Sequence, residues 1–383
     1  MVERRLIGMD RQTVVVKIGT SSLTDERGQL DENRLNHHVN GVFHLREAGF
    51  RVVVVSSGAI AAGFHELGLS SRPRTLAGKQ AAAAVGQGAL VQRYRELFAA
   101  KGAGCAQVLL TRSDLESRGR YLNALATLNY LLEREVVPVI NENDSVAVDE
   151  IRWGDNDTLA SLVAGLLQAD WLLLVTNTNG LYTDNPHKHP DARPIRRLDR
   201  IDEALIQQVD GSKSLLGSGG MRSKLVAARL AAETGVKVHI GTAGSEPEWM
   251  LRAVRGRGDG TTIEAAPRHV SRKQQWIAAH STPAGRLQVD EGAVHALLEK
   301  GGSLLPCGII AVEGVFFEGD IVEVTDPKGI PIGRGVTRYP SVLIDQVKGW
   351  QSTTVKGIAP DAPEEVIHRD DWVTAVVTES SCS

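Results

Sequence analysis

The chain has 383 residues, 42% of them apolar and 23% charged, a balance that suits a soluble globular protein with two domains at this length. No apolar run approaches a membrane span, and the charged N-terminus, Met1 to Gln12, runs straight into a strand without room for a signal-peptide core, so a cytoplasmic protein is expected. Net charge is −3, but residues 276–383 hold eight Lys and Arg against fifteen Asp and Glu, net −7, which argues against bulk nucleic-acid binding by the C-terminal part.

In chain order, Thr13–Ile18 reads as a strand, and Gly19-Thr20-Ser21-Ser22 turns off it with exposed N–H groups and hydroxyls. Lys17 sits just before that turn, where its ammonium can meet anionic oxygens; the alternative is an edge lysine snorkelling to solvent. A helix follows, capped by Asp31, with Leu35, Val39, Val42 and Leu45 on one face and Gly49 as its stop. The strand Arg51–Val55 breaks into Ser56-Ser57-Gly58, a small-residue turn that opens a helix and favours an anion. It is not the nucleophile elbow of a serine hydrolase, because Val55 stands where that turn needs glycine. Leu76–Ala100 reads as a long helix whose Gly86 and Gly88 are expected to make its first half adaptable.

Gln107–Leu110 is a further strand, and a helix over Tyr121–Glu133 carries Leu122, Leu125, Leu128 and Leu132 as its apolar face. Val136–Ile140 is apolar enough for a parallel strand buried on both faces. Asn141, Glu142, Asn143 and Asp144 follow it, then Asp155, Asn156 and Asp157, placing four carboxylates and three amides at one sheet edge. Such a cluster suits a small zwitterion beside a metal-bound phosphate; the alternative is a polar loop with Asp155 or Asp157 as a helix cap. The helix Leu159–Leu167 and the strand Trp171–Val175 come next, the latter ending in Thr176-Asn177. This alternation predicts an α/β fold, a parallel-sheet sandwich with helices on both faces.

Gly217-Ser218-Gly219-Gly220-Met221-Arg222-Ser223-Lys224 opens a helix reaching about Thr234, an arrangement built to hold phosphate. It is not a Walker loop, since Ser223 rather than glycine precedes Lys224. With Lys17 and the aspartates it supplies what phosphoryl transfer requires: two cations, backbone donors and carboxylates. His187 and His189 lie in a proline-flanked loop and are read as solvated, and Cys105, Cys307 and Cys382 have no metal or dithiol spacing. The basic stretch Arg252–Lys273 marks the boundary: a first domain over 1–260, a linker over 261–275 and a small, mostly β domain over 276–383, with strands through Gly319–Val324 and Ile332–Gly335 about a turn at Asp326–Gly329.

The stretches VVVKIGTSSLT, VVVVSSGAIAAG, KQAAAAVGQ, VPVINENDSVA, GDNDTLAS, NGLYTDNP and GSGGMRSK, in that order, resemble the glutamate 5-kinase branch of the amino-acid kinase family. GDIVEVTDPKGIPIGRGVTRY resembles a PUA domain, the module of pseudouridine synthases and archaeosine transglycosylases. The resemblance implies ATP-dependent phosphorylation of the γ-carboxylate of L-glutamate, the first step of proline synthesis, with Mg2+ held mainly by the ATP phosphates. It implies that Lys17 and Lys224 contact the phosphates, that Asp157 positions the lysines, and that Ser57, Asp144 and Asn156, with Asn141 of the same cluster, hold glutamate. Thr176, Asn177 and the loop Ser218, Gly219, Gly220, Met221, Arg222 and Ser223 would lie by the nucleotide. Proline as feedback inhibitor, a homo-oligomer and transfer of the labile acyl phosphate to the next pathway enzyme are further implications. Asn177 stands where the family has aspartate, and Arg222-Ser223 replaces a smaller pair. The rivals are another small-acid kinase of the same fold, such as an aspartate, acetylglutamate, carbamate or uridylate kinase, and an RNA-binding protein. The NEND…GDND pair and the attached β domain favour glutamate over the first, and the acidic C-terminal part with the kinase-like motifs disfavours the second.

Overall fold

The computed structural model describes residues 11–146, 156–184, 191–210, 220–244, 246–267, 274, 277, 283–360 and 362–374. The chain divides into two compact units after Arg268. In the first unit, β1 (Thr13–Ile18) is β-branched almost throughout and buried along its whole length, which makes it a central strand. The turn α1 (Thr20–Leu23) and the helix α2 (Glu32–Glu47) follow, and Asp31 caps α2 by accepting from the N–H groups of Asn33 and Arg34. Next come β2 (Arg51–Ser56), the short α3 (Ala59–Gly63), α4 (Leu76–Ala99), β3 (Gly104–Leu110), α5 (Arg112–Glu116), α6 (Arg118–Glu133) and β4 (Val136–Glu142). The helix α7 (Asn156–Leu167) is buried on all sides from Leu159 onward and leads into β5 (Trp171–Val175).

The unit closes with a two-stranded sheet of β6 (Leu181–Tyr182) and β7 (Pro194–Ile195), then β8 (Arg197–Leu198), α8 (Glu203–Asp210), α9 (Met221–Glu233), β9 (Lys237–Gly241), α10 (Trp249–Val254) and β10 (Thr261–Ile263). The main sheet has the order β3-β4-β2-β1-β5-β9-β10-β8. It is parallel from β3 through β9, so the carboxyl ends of β1, β2, β4 and β5 share one edge, and β10 runs antiparallel to β9. Val14, Val16 and Ile18 enter the core formed with α2, α4 and α10. By strand alternation Val15 and Lys17 face the other way, toward α7, which packs on α9. The expected linker therefore starts too early: Thr261 pairs with Ile240 and Ile263 with Val238, so residues 261–263 belong to the main sheet of the first unit.

Two local expectations change for packing reasons. The buried face of α6 is Tyr121, Ala124, Leu128 and Leu132, while Leu122 is 45% exposed, so the apolar stripe is rotated from the one the leucines suggest. Gly86 does not loosen α4. It lets α3 cross α4 at backbone contact, since a Cβ on Gly86 would run into the Ala59 carbonyl and the Gly63 backbone.

The second unit contains β11 (Gly285–Val289), α11 (Glu291–Leu298), β12 (Ile309–Gly314), β13 (Ile321–Thr325), β14 (Pro331–Val336), α12 (Ser341–Val347), α13 (Ser352–Val355) and β15 (Trp372–Thr374). Its sheet has the order β12-β11-β13-β14-β15, with only β11 and β13 parallel among these neighbours. Asp326 makes the hairpin turn by accepting from the N–H groups of Lys328 and Ile330, and Gly333 leaves room for the Trp372 ring. Arg338 lies beside the carboxylates of Glu365 and Asp371, which neutralises one of the basic residues on this acidic domain. Among the described residues, no helix is long and apolar enough to cross a membrane.

The α3–α4 crossing yields a stability prediction. Gly86→Ala should destabilise the protein by roughly 1–3 kcal/mol through overpacking. Gly88→Ala, where an added Cβ meets nothing among the described residues, should be neutral or stabilising. Urea unfolding of both variants checks the contrast, and equal effects would show that the crossing is not tight.

Candidate active site

Three elements bring buried charges to one point. Lys17, penultimate in β1, is only 4% exposed and lies in register between Val55 and Leu174, so its ammonium does not reach solvent. Its ammonium instead meets Asp157 Oδ1 at 2.6 Å. Gly19 makes room for this, because a Cβ there would sit 3.2 Å from Lys17 Nζ. Lys224, in the first turn of α9, donates to Asp157 Oδ2 at 3.2 Å, and the Ser223 hydroxyl donates to the same oxygen at 3.0 Å. Lys17 is thus no snorkelling edge residue, and the Asp157 side chain serves the lysines in place of a helix cap.

Burial alone would push the Asp157 carboxyl up, but the ammonium groups of Lys17 and Lys224 outweigh it and hold the group down to about 2. Lys224 is lowered from its ordinary value by burial and by the neighbouring Lys17, with Asp157 opposing. Two cations and one carboxylate leave a net positive charge in a nearly dry site, a setting for phosphate oxygens.

A second cluster lies at the ends of β2 and β4. Asn156, the first residue of α7, donates through Nδ2 to Ser57 Oγ at 2.9 Å and to Asn141 Oδ1 at 3.0 Å. The Glu142 backbone N–H also donates to Asn141 Oδ1, at 2.9 Å, and Asn141 Nδ2 donates to Gln87 Oε1 on α4 at 2.8 Å. Ser57 is placed by its own N–H on the Ile18 carbonyl and by Gly58, whose φ of 108° lets the chain turn sharply into α3. Asp144 is half-buried, and burial raises its carboxyl to about 6 with Arg72 opposing.

On the third side, Thr176 follows β5 with its N–H on the Gly241 carbonyl. Asn177 accepts a long hydrogen bond, 3.5 Å, from the Ser22 hydroxyl. Gly220 stands at the start of α9, with Met221, Arg222 and Ser223 in its first turn. Ser218, Gly219 and Asp155 lie outside the described residues, as do His187 and His189. Cys105 and Cys307 form no disulfide, and burial pushes the Cys105 thiol up to about 11.

Residues 12–242 match the amino acid kinase family and residues 285–359 the PUA domain. A glutamate 5-kinase of Geobacillus kaustophilus is 50% identical over 367 residues, covering 96% of this chain and 98% of that protein. Glutamate 5-kinase 1 of Bacillus licheniformis is 48% identical, covering 96% and 99%, and a Bacillus cereus glutamate 5-kinase is 45% identical, covering 96% and 100%. The chain belongs to the glutamate 5-kinase family. In this family member, Arg72 and Gln87 are neighbours of the site that sequence reasoning did not single out. Gln87 lies between Gly86 and Gly88 on α4, and Arg72 lies in the loop before α4, far in sequence from Asp144.

The carboxylate between two ammonium groups sets a pH prediction. A folded-state value near 2 against an ordinary 3.8 means that Asp157 contributes stability fully above about pH 4 and loses it as pH falls through about 2. Asp157→Asn should be less stable near neutrality, with a smaller loss of stability on acidification across that window. Chemical denaturation at stepped pH checks this, and parallel stability curves for the two proteins would contradict it.

Proposed function

We infer that the protein transfers the γ-phosphoryl group of ATP to the γ-carboxylate of L-glutamate, giving L-glutamyl 5-phosphate and ADP as the first step of proline biosynthesis. The supporting observation is the Lys17–Asp157–Lys224 constellation beside the Ser57–Asn156–Asn141 chain, in a protein half identical to a glutamate 5-kinase. The acceptor carboxylate is ionised at neutral pH, so no general base is needed. One of its oxygens forms the new bond to the γ-phosphorus while the bond to the β–γ bridging oxygen breaks and its electron pair leaves with ADP. Catalysis then consists of aligning two anions and screening their repulsion. Lys17 and Lys224 would share their N–H donors between Asp157 and the transferring phosphoryl. Magnesium would enter with ATP and neutralise the phosphate charge; both Asp157 oxygens already face ammonium groups, so that carboxylate is suited to ordering lysines and the ion to riding on the nucleotide.

Ser57, Asn141, Asn156 and Asp144 would hold glutamate, and Thr176, Asn177 and the loop from Ser218 to Ser223 the nucleotide. The amide of Asn177 keeps a hydrogen bond to base or ribose but brings no charge. Proline, a cyclised relative of glutamate, would compete for an overlapping pocket. A cytoplasmic homo-oligomer that passes its acyl phosphate to the next pathway enzyme completes the reading. The part of the chain from about Trp276 would modulate the kinase and not bind RNA in bulk, since the net −7 of residues 276–383 repels a phosphate backbone.

An ATP-dependent hydroxamate assay tests the reaction. L-glutamate should give product, and acetylglutamate, without an ammonium group, should react poorly. Lys17→Ala and Lys224→Ala should each lower kcat roughly a hundredfold or more, the scale of one lost preorganised donor. Near-normal turnover in either lysine variant, or equal rates with both acceptors, would overturn the assignment.

Asp144 carries a separate prediction. Its carboxyl is raised to about 6, and only the ionised form attracts the substrate ammonium, so KM for glutamate should fall as pH rises from 5 to 7.5. Asp144→Asn should have a higher KM that stays flat over this range. A pH-dependence shared by both proteins would place the titrating group elsewhere.

A further inference from the structure

The hydrogen-bonded amides beside Ser57 have orientations that can be read in sequence from one fixed donor. The Glu142 backbone N–H can only donate, so the atom of Asn141 that meets it must be Oδ1. That turns Asn141 Nδ2 toward α4, and the Gln87 atom facing it must be the acceptor Oε1. It also means that Asn156 approaches Asn141 Oδ1 with its NH2 group, which simultaneously reaches Ser57 Oγ. Each assignment follows from the one before, and no amide in the chain can be flipped without placing like atoms against each other.

What remains is a buried donor at one end and a buried acceptor at the other. Among the described residues, neither Gln87 Nε2 nor Asn156 Oδ1 has a hydrogen-bond partner, and both atoms are shielded from solvent. Orphaned buried polar groups are rare and mark a missing ligand or water. A ligand completing this site must accept at Gln87 and donate at Asn156. One carboxamide, that of Asn141, links the two ends.

We propose that Gln87 is a specificity-determining residue that reads the α-carboxylate of the acceptor amino acid through Nε2, while Asn156 Oδ1 shares its α-ammonium with the Asp144 carboxylate. This rests on the glutamate kinase reading and adds the orientation of the substrate. The ammonium is the only strong donor on glutamate, so it goes to the acceptor-only end; the α-carboxylate on the same carbon then faces the Gln87 amide. The γ-carboxylate is left to extend toward Asp157, the residue after Asn156, where the two lysines converge.

The test uses Gln87→Glu in the full chain. A glutamate side chain retains an oxygen to accept from Asn141 but replaces the ligand-facing donor by an anionic acceptor. L-isoglutamine, the α-carboxamide of glutamate, keeps the reactive γ-carboxylate and presents an N–H donor in place of one carboxylate oxygen. The measured quantity is the ratio of kcat/KM for glutamate over isoglutamine in the hydroxamate assay, with thermal unfolding of both proteins alongside. Wild type should prefer glutamate, and Gln87→Glu should lower that ratio by about tenfold to a hundredfold, the range of one hydrogen bond to a charged group. General damage to the fold would depress both substrates together and leave the ratio in place. Gln87→Met, which removes the donor without adding charge, serves if Gln87→Glu does not fold, and its ratio should fall in the same direction. A wild-type enzyme that turns over both substrates equally, or a folded variant with an unchanged ratio, would overturn the assignment to Gln87. Failure of wild type to phosphorylate glutamate would instead remove the kinase reading itself.

Discussion

The charge balance around Asp157 constrains everything near it. Three ionised groups in a nearly solvent-free site are costly to assemble unless each has partners. Here the carboxylate gives one oxygen to Lys17 and the other to Lys224 and Ser223. These side chains come from β1, α7 and α9, so the ion cluster holds together elements that are far apart in sequence. It also explains why a lysine is tolerated in a central strand and why the first residue after β1 is a glycine. The cluster remains one positive charge in excess, and an incoming phosphoryl group is the natural complement.

The amide chain shows a different form of control. Its members are neutral, so Coulomb attraction cannot align them; a single backbone N–H at the end of β4 does so through successive donor–acceptor matches. Because β4 is fixed in the sheet by β2 and β3, that N–H is among the more rigid donors in the site. The sheet therefore sets the polarity of the amide chain without any charged side chain in the chain itself.

Much of this was legible along the chain because it depends on local pattern. Six-residue β-branched runs such as Thr13–Ile18, the Asp31 cap and the glycine stops need no partner to be recognised, and the polar residues after β4 announce a strand end. The rotated face of α6 was not legible: leucine spacing suggested Leu122, but neighbours in space bury Tyr121 and Ala124 instead. Gly86 was read through its backbone freedom, whereas its role lies in having no side chain where α3 crosses. Gln87 and Arg72 escaped for a related reason. Gln87 is one of three glutamines on α4, with nothing in its spacing to mark it, and its contact appears only when Asn141, more than fifty positions later, arrives against it.

The same comparison separates the two halves of the site by the kind of information each needs. The Lys17–Asp157–Lys224 cluster is specified by charge, and charge in an apolar strand or a glycine-rich loop is conspicuous in a sequence. The amide chain is specified by the direction of hydrogen bonds, which depends on which end of an amide faces which neighbour and has no counterpart in residue identity. Two enzymes of one fold can therefore share the lysines and the aspartate while taking different acceptors, provided that the amide chain is turned or replaced. Under the proposed assignment, substrate choice would be a matter of donor and acceptor polarity at the ends of β2 and β4, set apart from the charges around Asp157.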